Sequence, residues 1–483
     1  MTYFLGIDVG TTSVKAGVMD EAGHRVASFG ESYPTQRRAG QIVEQDPEEW
    51  LRLIHRALDA FAGYQIAAIG LTSQVNTHVF VDAQGAALHP AIVWQDGRAQ
   101  AEAERLDASV TPEQKQRWWG APMPIDASHA CARMAWMANT QPDVWARTRW
   151  VMLPKDYCLF HLTGEAVTDP ISNIGLVDTA LRYVPEVLAL VDGAADRVAP
   201  LAPVTRQIGH VRSGPFAGVP VVCGAMDAWA GLVGAGGARE GSTVYLSGTS
   251  EILGISSQTV VPTPGAIVFS ECEGIRLHAA PTQSGGDAKA WFAATQGLTL
   301  DAMAELVAAH PRSAATPLFL PQLQGERAPL WDADLRAAFL GVSRQTTQAD
   351  LARAVYEGVA FSARMALETL NASAGLKSDS IACGGGGFRS EAWTQTRADI
   401  LGVELRVLAA KDPGVLGAAT LAALSIGHYS SFGDALDALA VFETVCPPNR
   451  ALRSLYDDLY GAYAEAITLN ADLGKRLRHI NAG

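Results

Sequence analysis

Residues 3–19 read YFLGIDVGTTSVKAGVM, and this stretch decides the fold. Two apolar runs, at residues 3–7 and 14–19, flank Asp8 and a turn of Gly, Thr and Ser residues. Such residues supply the positive φ angles or the local side-chain hydrogen bonds that a tight turn needs. The stretch therefore predicts a β-hairpin with a carboxylate at the end of its first strand.

The hairpin pattern returns near the middle of the chain, where SGTSE at residues 247–251 separates apolar runs at 243–246 and 252–255. Because such turns are common, one repeat could arise by chance. In both halves, however, strand-like segments alternate with amphipathic helices, which favours an α/β arrangement. The strand-like segments are residues 66–72, 79–82, 318–321 and 380–383, and the helical ones are residues 46–62, 348–372 and 454–473.

The internal similarity predicts two domains built on one plan, and 483 residues are enough for two hydrophobic cores. The glycine-rich stretch GAGGAREG, at residues 234–241, is the best boundary because glycines lower the cost of changing φ and ψ at a hinge. A helix C-cap followed by a turn would have the same composition. We expect an N-terminal domain of residues 1–236 and a C-terminal domain of residues 237–483.

Composition and charge exclude several classes of protein. The formal net charge is -13 and no run of Lys or Arg forms a basic stripe, so we expect no nucleic-acid partner. We also expect no membrane partner, because the chain has no signal-like start and no long uncharged apolar stretch. The six cysteines are widely spaced, as for free thiols in a reducing compartment. These features predict a cytoplasmic protein.

Three loops have the composition of phosphate- or nucleotide-binding loops. A carboxylate followed by a turn of small residues, as at Asp8, can hold a hydrated divalent cation while backbone amides face phosphate oxygens. A plain hairpin turn is the alternative. The other two loops are SGTS, which is a weak signal alone, and CGGGGFRS, which is also weak because a flexible loop explains it equally. The candidate residues are Gly10, Thr11, Thr12, Ser13, Gly248, Thr249, Ser250, Gly385, Gly386 and Gly387.

Asp227 lies in VPVVCGAMDAWAGLVGAG, residues 219–236, where a buried-strand pattern ends and an Ala/Gly-rich helix begins. An aspartate at this point could accept a proton from a hydroxyl during phosphoryl transfer, which depends mainly on position and on stabilisation of charge. Aspartate at a helix start is also a common cap. Considered alone, the cap would be the better interpretation.

Taken together, these motifs resemble the FGGY carbohydrate kinases, a family that includes xylulokinases and glycerol kinases. The resemblance runs nearly end to end and in order. Its segments are GIDVGTTSVKAG (6–17), AIVWQDGRA (91–99), LPKDYCLFHLTGE (153–165), CGAMDAWAGLVGAG (223–236), LSGTSE (246–251), FLPQLQGERAP (319–329), FLGVSRQTTQADLARAVYEGVAF (339–361), GGGGFRSEAW (384–393) and PGVLGAATLAAL (413–424). So many ordered segments make chance an untenable explanation.

The resemblance implies two actin-like (ribonuclease H-like) α/β domains with a cleft between them, and an enzyme that uses ATP and Mg²⁺ to phosphorylate a small sugar or polyol. It implies that Asp8 helps to place the metal and that Gly10, Thr11, Thr12 and Ser13 bind phosphate. It assigns Asp227 as the general base on the sugar hydroxyl. Gly248, Thr249 and Ser250 would form the second phosphate loop, and Gly385, Gly386 and Gly387 would lie against the adenosine.

The sugar-contacting segment departs from the family patterns. Xylulokinases have Gln-Met-His there and glycerol kinases an Arg-Glu pair, whereas this chain has Gln74, Val75 and Asn76. Xylulokinases usually have Asn directly after the catalytic aspartate, and here that residue is Ala228. We expect a ketose, such as xylulose or a related pentulose, with another ketose, a tetritol or a pentitol as alternatives. Further candidates near the sugar or nucleotide are His78, Asp96, Arg98, Asp287 and Lys289, for which packing or ion pairing is the alternative.

Two other functions are compatible with the same motifs. A nucleotide-binding regulator or scaffold could use this fold and signal by closing. A bare actin-like ATPase would hydrolyse ATP without a sugar. The presence of Asp8, Asp227 and both phosphate loops argues against a decayed site, because a regulator would be free to lose them. A homodimer is an expected assembly.

Overall fold

Two sheets of seven strands each organise the protein, as seen in a computed structural model that describes residues 2–482. Each sheet belongs to one of two units of the chain. The N-terminal unit contains residues 2–234, Ser270–Gly274 and Asp412–Ala440. The C-terminal unit contains Ala235–Phe269, Ile275–Lys411 and residues 441–482. The expected boundary after residue 236 lies two residues beyond the end of the first long segment, but two later segments return to the N-terminal unit.

Both units contain strands and helices in mixed order along the chain, which agrees with the predicted α/β arrangement. The strands are β1 (Tyr3–Val9), β2 (Ser13–Asp20), β3 (Arg25–Ser32), β4 (Gln36–Arg38), β5 (Ile42–Gln45), β6 (Ile66–Ser73), β7 (Val79–Val81), β8 (Ala91–Ile92), β9 (Trp150–Met152), β10 (Gln207–His210), β11 (Pro220–Val222), β12 (Ala225–Met226), β13 (Thr243–Ser247), β14 (Glu251–Ser256), β15 (Ile267–Val268), β16 (Leu277–Thr282), β17 (Leu318–Leu320), β18 (Ala338–Leu340), β19 (Ser380–Gly384), β20 (Glu404–Leu408) and β21 (Phe442–Cys446).

The helices are α1 (Pro47–Ala60), α2 (Gln100–Ala108), α3 (Pro112–Trp119), α4 (Ala130–Thr140), α5 (Pro142–Arg147), α6 (Pro154–Thr163), α7 (Pro185–Leu188), α8 (Asp227–Gly234), α9 (Gly286–Thr295), α10 (Leu300–Ala309), α11 (Gln348–Ala374), α12 (Glu391–Leu401), α13 (Pro413–Ser425), α14 (Phe432–Leu439) and α15 (Arg453–Ala482). The three helices predicted from periodicity are confirmed as α1, α11 and α15. The last begins as expected and runs nine residues past the predicted end at residue 473. Helix α1 begins where Asp46 accepts a hydrogen bond from the Glu48 N–H at 3.0 Å.

The N-terminal sheet is built around the predicted hairpin, which is confirmed. Its strand order is β10-β11-β6-β1-β2-β3, and β12 also pairs with β6. Strands β1 and β2 pair antiparallel from Tyr3 opposite Asp20 to Val9 opposite Val14, while β1 and β6 run parallel. The carboxyl ends of β1, β6 and β12 therefore meet at one edge of this sheet, where the loops after them lie side by side.

The C-terminal sheet repeats this plan, which confirms the internal similarity. Its order is β15-β16-β14-β13-β19-β20-β21. Strands β13 and β14 form the second hairpin, antiparallel from Thr243 opposite Ile255 to Ser247 opposite Glu251. Strand β13 also pairs in parallel with β19. In this sheet β16 pairs antiparallel with β14 of the hairpin, as β3 pairs with β2 in the first sheet. On the other side of the hairpin come two parallel strands, β19 and β20, and then the antiparallel strand β21, as β6, β11 and β10 do in the first sheet.

Helix α13 explains why residues 412–440 belong to the N-terminal unit although they come late in the chain. It packs on β1 and β6 so closely that a Cβ on Gly6 would collide with the Val415 carbonyl, and one on Gly70 with the Ala418 carbonyl. Gly417 on the helix lies equally close to the Ala230 carbonyl of α8. Such backbone contact requires residues without side chains. Residues 412–440, with helices α13 and α14, therefore pack with residues 2–234 in the N-terminal unit.

The hydrophobic cores bury all six cysteines as free thiols, as predicted. In the N-terminal unit one cluster packs α1 and α6 on the sheet through Trp50, Ile54 and Tyr157. In the C-terminal unit α11 packs on the sheet through Ala363 and Leu370. Among the described residues, no helix is long and apolar enough to cross a membrane.

Candidate active site

Two carboxylates stand at the carboxyl edge of the N-terminal sheet. Asp8 lies near the end of β1, opposite Thr72 of β6. Asp227 follows β12 directly, and Met226 pairs with Ser73 of β6. Both side chains are half-buried. Parallel pairing to one common strand thus brings together two residues that are 219 positions apart in the sequence, as the family resemblance implied.

Both carboxyl groups have raised pKa values. Burial, followed by the nearby charge of Asp227, raises the pKa of Asp8 from 3.8 to about 7, although Lys15 opposes this shift. Burial also raises the pKa of Asp227 to about 6. Hydrogen bonds from main-chain N–H groups favour the Asp227 anion, including one from Ala228 to Oδ1 at 2.7 Å. Such raised values are typical of carboxylates that bind a cation or accept a proton.

Asp8 has an oxygen that suits a metal ligand. Its Oδ1 is buried and has no hydrogen-bond partner among the described residues. The neighbouring Asp412 is already engaged, because Lys15 lies 3.0 Å from one of its oxygens and Arg25 lies 2.6 Å from the other. The described part of the chain contains no group of three or more His, Cys, Asp or Glu side chains that could hold a metal. One free carboxylate fits Mg²⁺, which usually takes its other ligands from water and phosphate.

Residues 10–13, named the first phosphate loop after their predicted role, form a tight turn with Thr12 exposed. The Gly10 N–H donates to the Ser13 carbonyl at 3.1 Å, and the Tyr33 hydroxyl donates to the Gly10 carbonyl. Thr11 is held from two sides, since its carbonyl accepts from Gln45 Nε2 at 2.7 Å and its hydroxyl from Trp94 Nε1 at 3.0 Å. These hydrogen bonds fix the loop backbone.

A ring of hydrogen bonds connects this loop to Gln74. Gln74 donates to Gln45 at 2.8 Å and accepts from the Thr77 hydroxyl at 3.1 Å. Thr77 in turn accepts from the main-chain N–H of Trp94 at 3.1 Å. Gln74 is only 2 % exposed and both ends of its amide are engaged. Gln45 and Trp94 were not identified from the sequence. The sequence signal that could have indicated Trp94 is its place in the family segment AIVWQDGRA, and in the structure its side chain is 36 % exposed.

Val75 and Asn76 are half-buried beside this ring. Asn76 has a φ of 53°, an uncommon conformation for a residue with a side chain. Its amide donates to Ser128 Oγ at 3.3 Å. Its carbonyl accepts from Arg133, a fully buried residue that also donates to the carbonyls of Ile92 and Val93, each at 2.6 Å. Arg133 thus holds the Asn76 turn against the segment before Trp94.

The other polar candidates on this side have structural partners. His78 is 5 % exposed, and its Nδ1 lies 3.2 Å from Arg133; burial, helped by that cation, keeps its pKa well below the usual value. Asp96 accepts from the Val43 N–H and pairs with Arg98 at 2.7 Å, and Arg98 also pairs with Glu44 at 2.8 Å. The three charged side chains brace a loop, which is the alternative stated above for Asp96 and Arg98.

In the C-terminal unit, the second phosphate loop, residues 247–250, turns tightly and rests on the start of α9. The Gly248 N–H donates to the Ser250 carbonyl at 2.9 Å. The carbonyls of Gly248 and Thr249 accept from the first N–H groups of α9, those of Gly286 and Asp287, at 3.0 Å each. Gly248 and Thr249 are exposed and Ser250 is half-buried. Small exposed residues leave this loop open to a ligand.

The glycine loop, residues 385–387, lies directly on the second phosphate loop. A Cβ on Gly385, whose φ is 94°, would collide with the Ser247 carbonyl, and one on Gly387 with the Ser247 side chain. Gly386 faces open space. Two of the three glycines are therefore needed for close contact between loops, and the third leaves room for a flat ligand. The structure brings together the sequence-predicted residues of the two loops in this unit.

Asp287 and Lys289 are not joined by a surface salt bridge, contrary to the alternative considered for them. Asp287 accepts from the N–H groups of Gly285 and Ala288 at the start of α9. The Lys289 amino group lies 3.3 Å from the centroid of the Trp393 ring, and among described residues it has no ion-pair partner. Burial, and then the nearby Arg397, lowers its pKa to about 7.

The chain is similar to known proteins over almost all of its length. Residues 3–234 match the FGGY family of carbohydrate kinases, N-terminal domain, and residues 244–426 match the C-terminal domain of the same family. It is 31% identical over 467 residues to the xylulose kinase of Escherichia coli (strain K12), covering 92% of this chain and 94% of that protein.

Solved structures share the whole fold. A xyloylose kinase from Brucella ovis superposes with a TM-score of 0.88 at 28% identity, covering 98% of this chain and 100% of that one. A gluconate kinase from Lactobacillus acidophilus gives a TM-score of 0.87 at 25% identity over 97% of this chain and 98% of that one. The predicted class of two actin-like (ribonuclease H-like) α/β domains is confirmed. This chain belongs to the FGGY family of carbohydrate kinases and is an enzyme that uses ATP to phosphorylate a sugar or a polyol.

Proposed function

We propose that this kinase phosphorylates a hydroxyl of a small ketose, such as xylulose or a related pentulose, in carbohydrate catabolism, with Asp227 as the general base. The observation that carries the proposal is the pair of half-buried carboxyl groups, Asp8 and Asp227, whose pKa values are about 7 and about 6. Phosphoryl transfer to a hydroxyl needs one group to accept a proton and a cation to spread the developing charge. In this pair, at the edge of one sheet, Asp227 can accept the proton and Asp8 can hold the cation.

Asp227 suits the role of base through its position and its pKa. A pKa of about 6 leaves the carboxyl group mostly ionised near neutral pH, while keeping it basic enough to take the hydroxyl proton as the new P–O bond forms. The hydrogen bond from the Ala228 N–H to Oδ1 fixes the carboxylate, and one of its oxygens would face the acceptor hydroxyl. Helix capping and catalysis are therefore compatible in one side chain.

The remaining site residues divide between the two units. Asp8 would hold Mg²⁺, which supplies charge stabilisation for the transferring phosphoryl group. The first phosphate loop, Gly10, Thr11, Thr12 and Ser13, would offer backbone N–H groups to phosphate oxygens. In the C-terminal unit, Gly248, Thr249 and Ser250 would bind phosphate, and the glycine loop, Gly385, Gly386 and Gly387, would bind adenosine.

The sugar would contact Val75, Asn76 and Asp227. Gln74 would not bind the sugar directly, because both ends of its side-chain amide already make hydrogen bonds within the protein. It would position the turn that carries Asn76. Similarity to the Escherichia coli xylulose kinase favours a pentulose. Val75 and Ala228 remove polar or shape contacts that a xylulokinase would make, and they support a related pentulose, another ketose, a tetritol or a pentitol as alternatives.

A sugar panel tests the proposal. ADP release is measured with saturating ATP·Mg²⁺ across pentuloses, hexuloses, tetritols, pentitols and aldonates, with a no-sugar control. We expect the highest kcat/KM for a pentulose. Preference for an aldonate would contradict the ketose assignment, and preference for a tetritol or a pentitol would favour the polyol alternative. ADP release at full rate without sugar would indicate a bare ATPase, and nucleotide binding without turnover on any acceptor would indicate a regulator.

Substitution of Arg133 should raise the KM for the sugar and leave the KM for ATP unchanged. Arg133→Met removes the donors that hold the carbonyls of Asn76, Ile92 and Val93. Because misplacement of a substrate-positioning group is costly, we expect the KM for the preferred sugar to rise by roughly tenfold or more. The KM for ATP should stay within twofold, and Arg133→Lys, which keeps the charge, should show a smaller rise.

The matched control for Arg133 is Arg149→Met, in the same unit, where an exposed arginine donates to the Asp196 carbonyl. It should leave both KM values unchanged. Equal rises in the KM for sugar and for ATP in Arg133→Met would contradict a role specific to the sugar turn. The expected homodimer and cytoplasmic location stay predictions.

A further inference from the structure

A buried ion pair in the C-terminal unit lies behind the two loops assigned to ATP. Arg397 of α12 pairs with Glu251 of β14, and their side chains are 0 % and 1 % exposed. The same guanidinium donates to Ser247 Oγ at 2.7 Å and to the Gly387 carbonyl at 3.1 Å. One side chain therefore contacts the first residue of the second phosphate loop and the last residue of the glycine loop.

Glu251 completes this connection. Its carboxylate accepts from the Ser247 hydroxyl at 2.7 Å, from the Tyr245 hydroxyl and from Arg397. Charged groups in a protein interior are costly unless their partners are precisely placed. Here the Glu251 carboxylate has three donors, so movement of either loop would leave a buried charge or hydroxyl without its partner. The arrangement favours one relative position of the two loops.

Aromatic rings restrict the guanidinium further. Its central carbon lies 3.4 Å from the centroid of the Trp393 ring, 4.5 Å from that of Phe388 and 5.0 Å from that of Tyr245. Phe388 directly follows the glycine loop, and Tyr245 lies on the strand that leads to the second phosphate loop. Contact with three rings restricts the planar group to one orientation, which a flexible lysine ammonium would not maintain.

The geometry points to Arg397 as a positioning residue for the nucleotide, one that holds the second phosphate loop and the glycine loop at the spacing ATP requires. This inference rests on the proposed assignment of those loops to ATP. Arg397 is buried behind the loops and acts through Ser247 and Gly387. Its loss should therefore weaken nucleotide binding, while sugar binding, assigned to the other unit, should be unchanged.

The test uses the full-length chain with two variants. Arg397→Lys keeps the charge but not the planar fork. The double variant Glu251→Met with Arg397→Met removes both charges together, and replacing a buried ion pair by apolar residues of similar size is often neutral for folding. We expect the Kd for Mg·ADP, by calorimetry, and the KM for ATP to rise at least tenfold in the double variant and less in Arg397→Lys. The KM for the preferred sugar should stay within twofold.

Arg364→Met is the matched control. Arg364 is also a buried arginine of the C-terminal unit, and it donates to the carbonyls of Ile400 and Tyr456 instead of to either loop. It should lower the Tm without changing the Kd for Mg·ADP. The inference is overturned if the folded double variant binds Mg·ADP like the wild type, or if Arg364→Met weakens binding equally. A wild-type chain that binds no adenine nucleotide would overturn the proposed function as well.

Discussion

Asp227→Asn should lower kcat by about 10²–10⁴-fold, the range that a general base contributes, and should leave the affinity for Mg·ADP within twofold. Asparagine has nearly the shape of aspartate, and its carbonyl oxygen can still accept the hydrogen bond from the Ala228 N–H. It cannot accept the hydroxyl proton. Asp227→Ala should show the same loss of kcat. Steady-state turnover with the preferred sugar, combined with calorimetry, measures both effects.

The control for Asp227 is Asp46→Asn, a second aspartate of the N-terminal unit at the start of a helix. Asp46 accepts from the Glu48 N–H, and asparagine caps a helix about as well as aspartate does. This variant should keep the wild-type kcat. If Asp227→Asn retained kcat within tenfold of the wild type, Asp227 would be a helix cap and not the base.

The raised pKa of Asp227 gives the same prediction two readouts against pH. The wild-type kcat/KM for sugar should rise with pH through about 6 as the base ionises, and Asp227→Asn should lose this limb. Stability should move in the opposite direction. Between pH about 4 and about 6 the folded chain holds a proton that the unfolded chain has released, so this carboxyl group favours folding less as pH rises. The free energy of unfolding of Asp227→Asn, measured relative to the wild type, should therefore be higher at pH 7 than at pH 4.

The features that could be predicted from the sequence are local in the chain. Both hairpins and the start of α8 at Asp227 depend on turn residues and periodicity within a few positions. The candidate loops are likewise contiguous, so their members necessarily lie together. Placing Asp8 beside Asp227 needed more, because it depends on the parallel pairing of β1, β6 and β12. The resemblance to a family supplied this information.

The features that could not be predicted depend on contacts between distant segments. Gln74 has a side chain of the kind that binds sugar hydroxyls. Its hydrogen-bond partner Gln45 lies 29 residues earlier, so only the folded chain shows that the amide is already engaged. Nothing in the sequence distinguishes Arg397 from the other arginines. Its role depends on the folded positions of β13 and α12, which place it beside Ser247, 150 residues away in the chain. The packing of helix α13 on the N-terminal sheet could not be predicted either, because small residues on both surfaces permit this contact but do not specify it.

Asp8→Asn should lower kcat by about 100-fold or more, because a metal ion at a transferring phosphoryl group is worth several kcal/mol and each 1.36 kcal/mol is about tenfold in rate. The variant should also need more Mg²⁺ for half-maximal rate. Asp20→Asn is the control. Asp20 lies on the adjacent strand of the same sheet, where it accepts from the N–H groups of Ala22 and His24, and asparagine suits such turns. Its Mg²⁺ dependence should match the wild type.

The pH dependence of the Mg²⁺ requirement separates metal binding from a general loss of structure at Asp8. A carboxyl group binds a metal as its anion, so proton and Mg²⁺ compete for Asp8. Because the pKa is about 7, the Mg²⁺ concentration for half-maximal rate in the wild type should increase as pH falls through 7. In Asp8→Asn it should be high at every pH and nearly constant. A variant with the wild-type pH dependence would show that another ligand holds the metal, whatever its kcat, since the neutral amide has no proton to exchange for the cation.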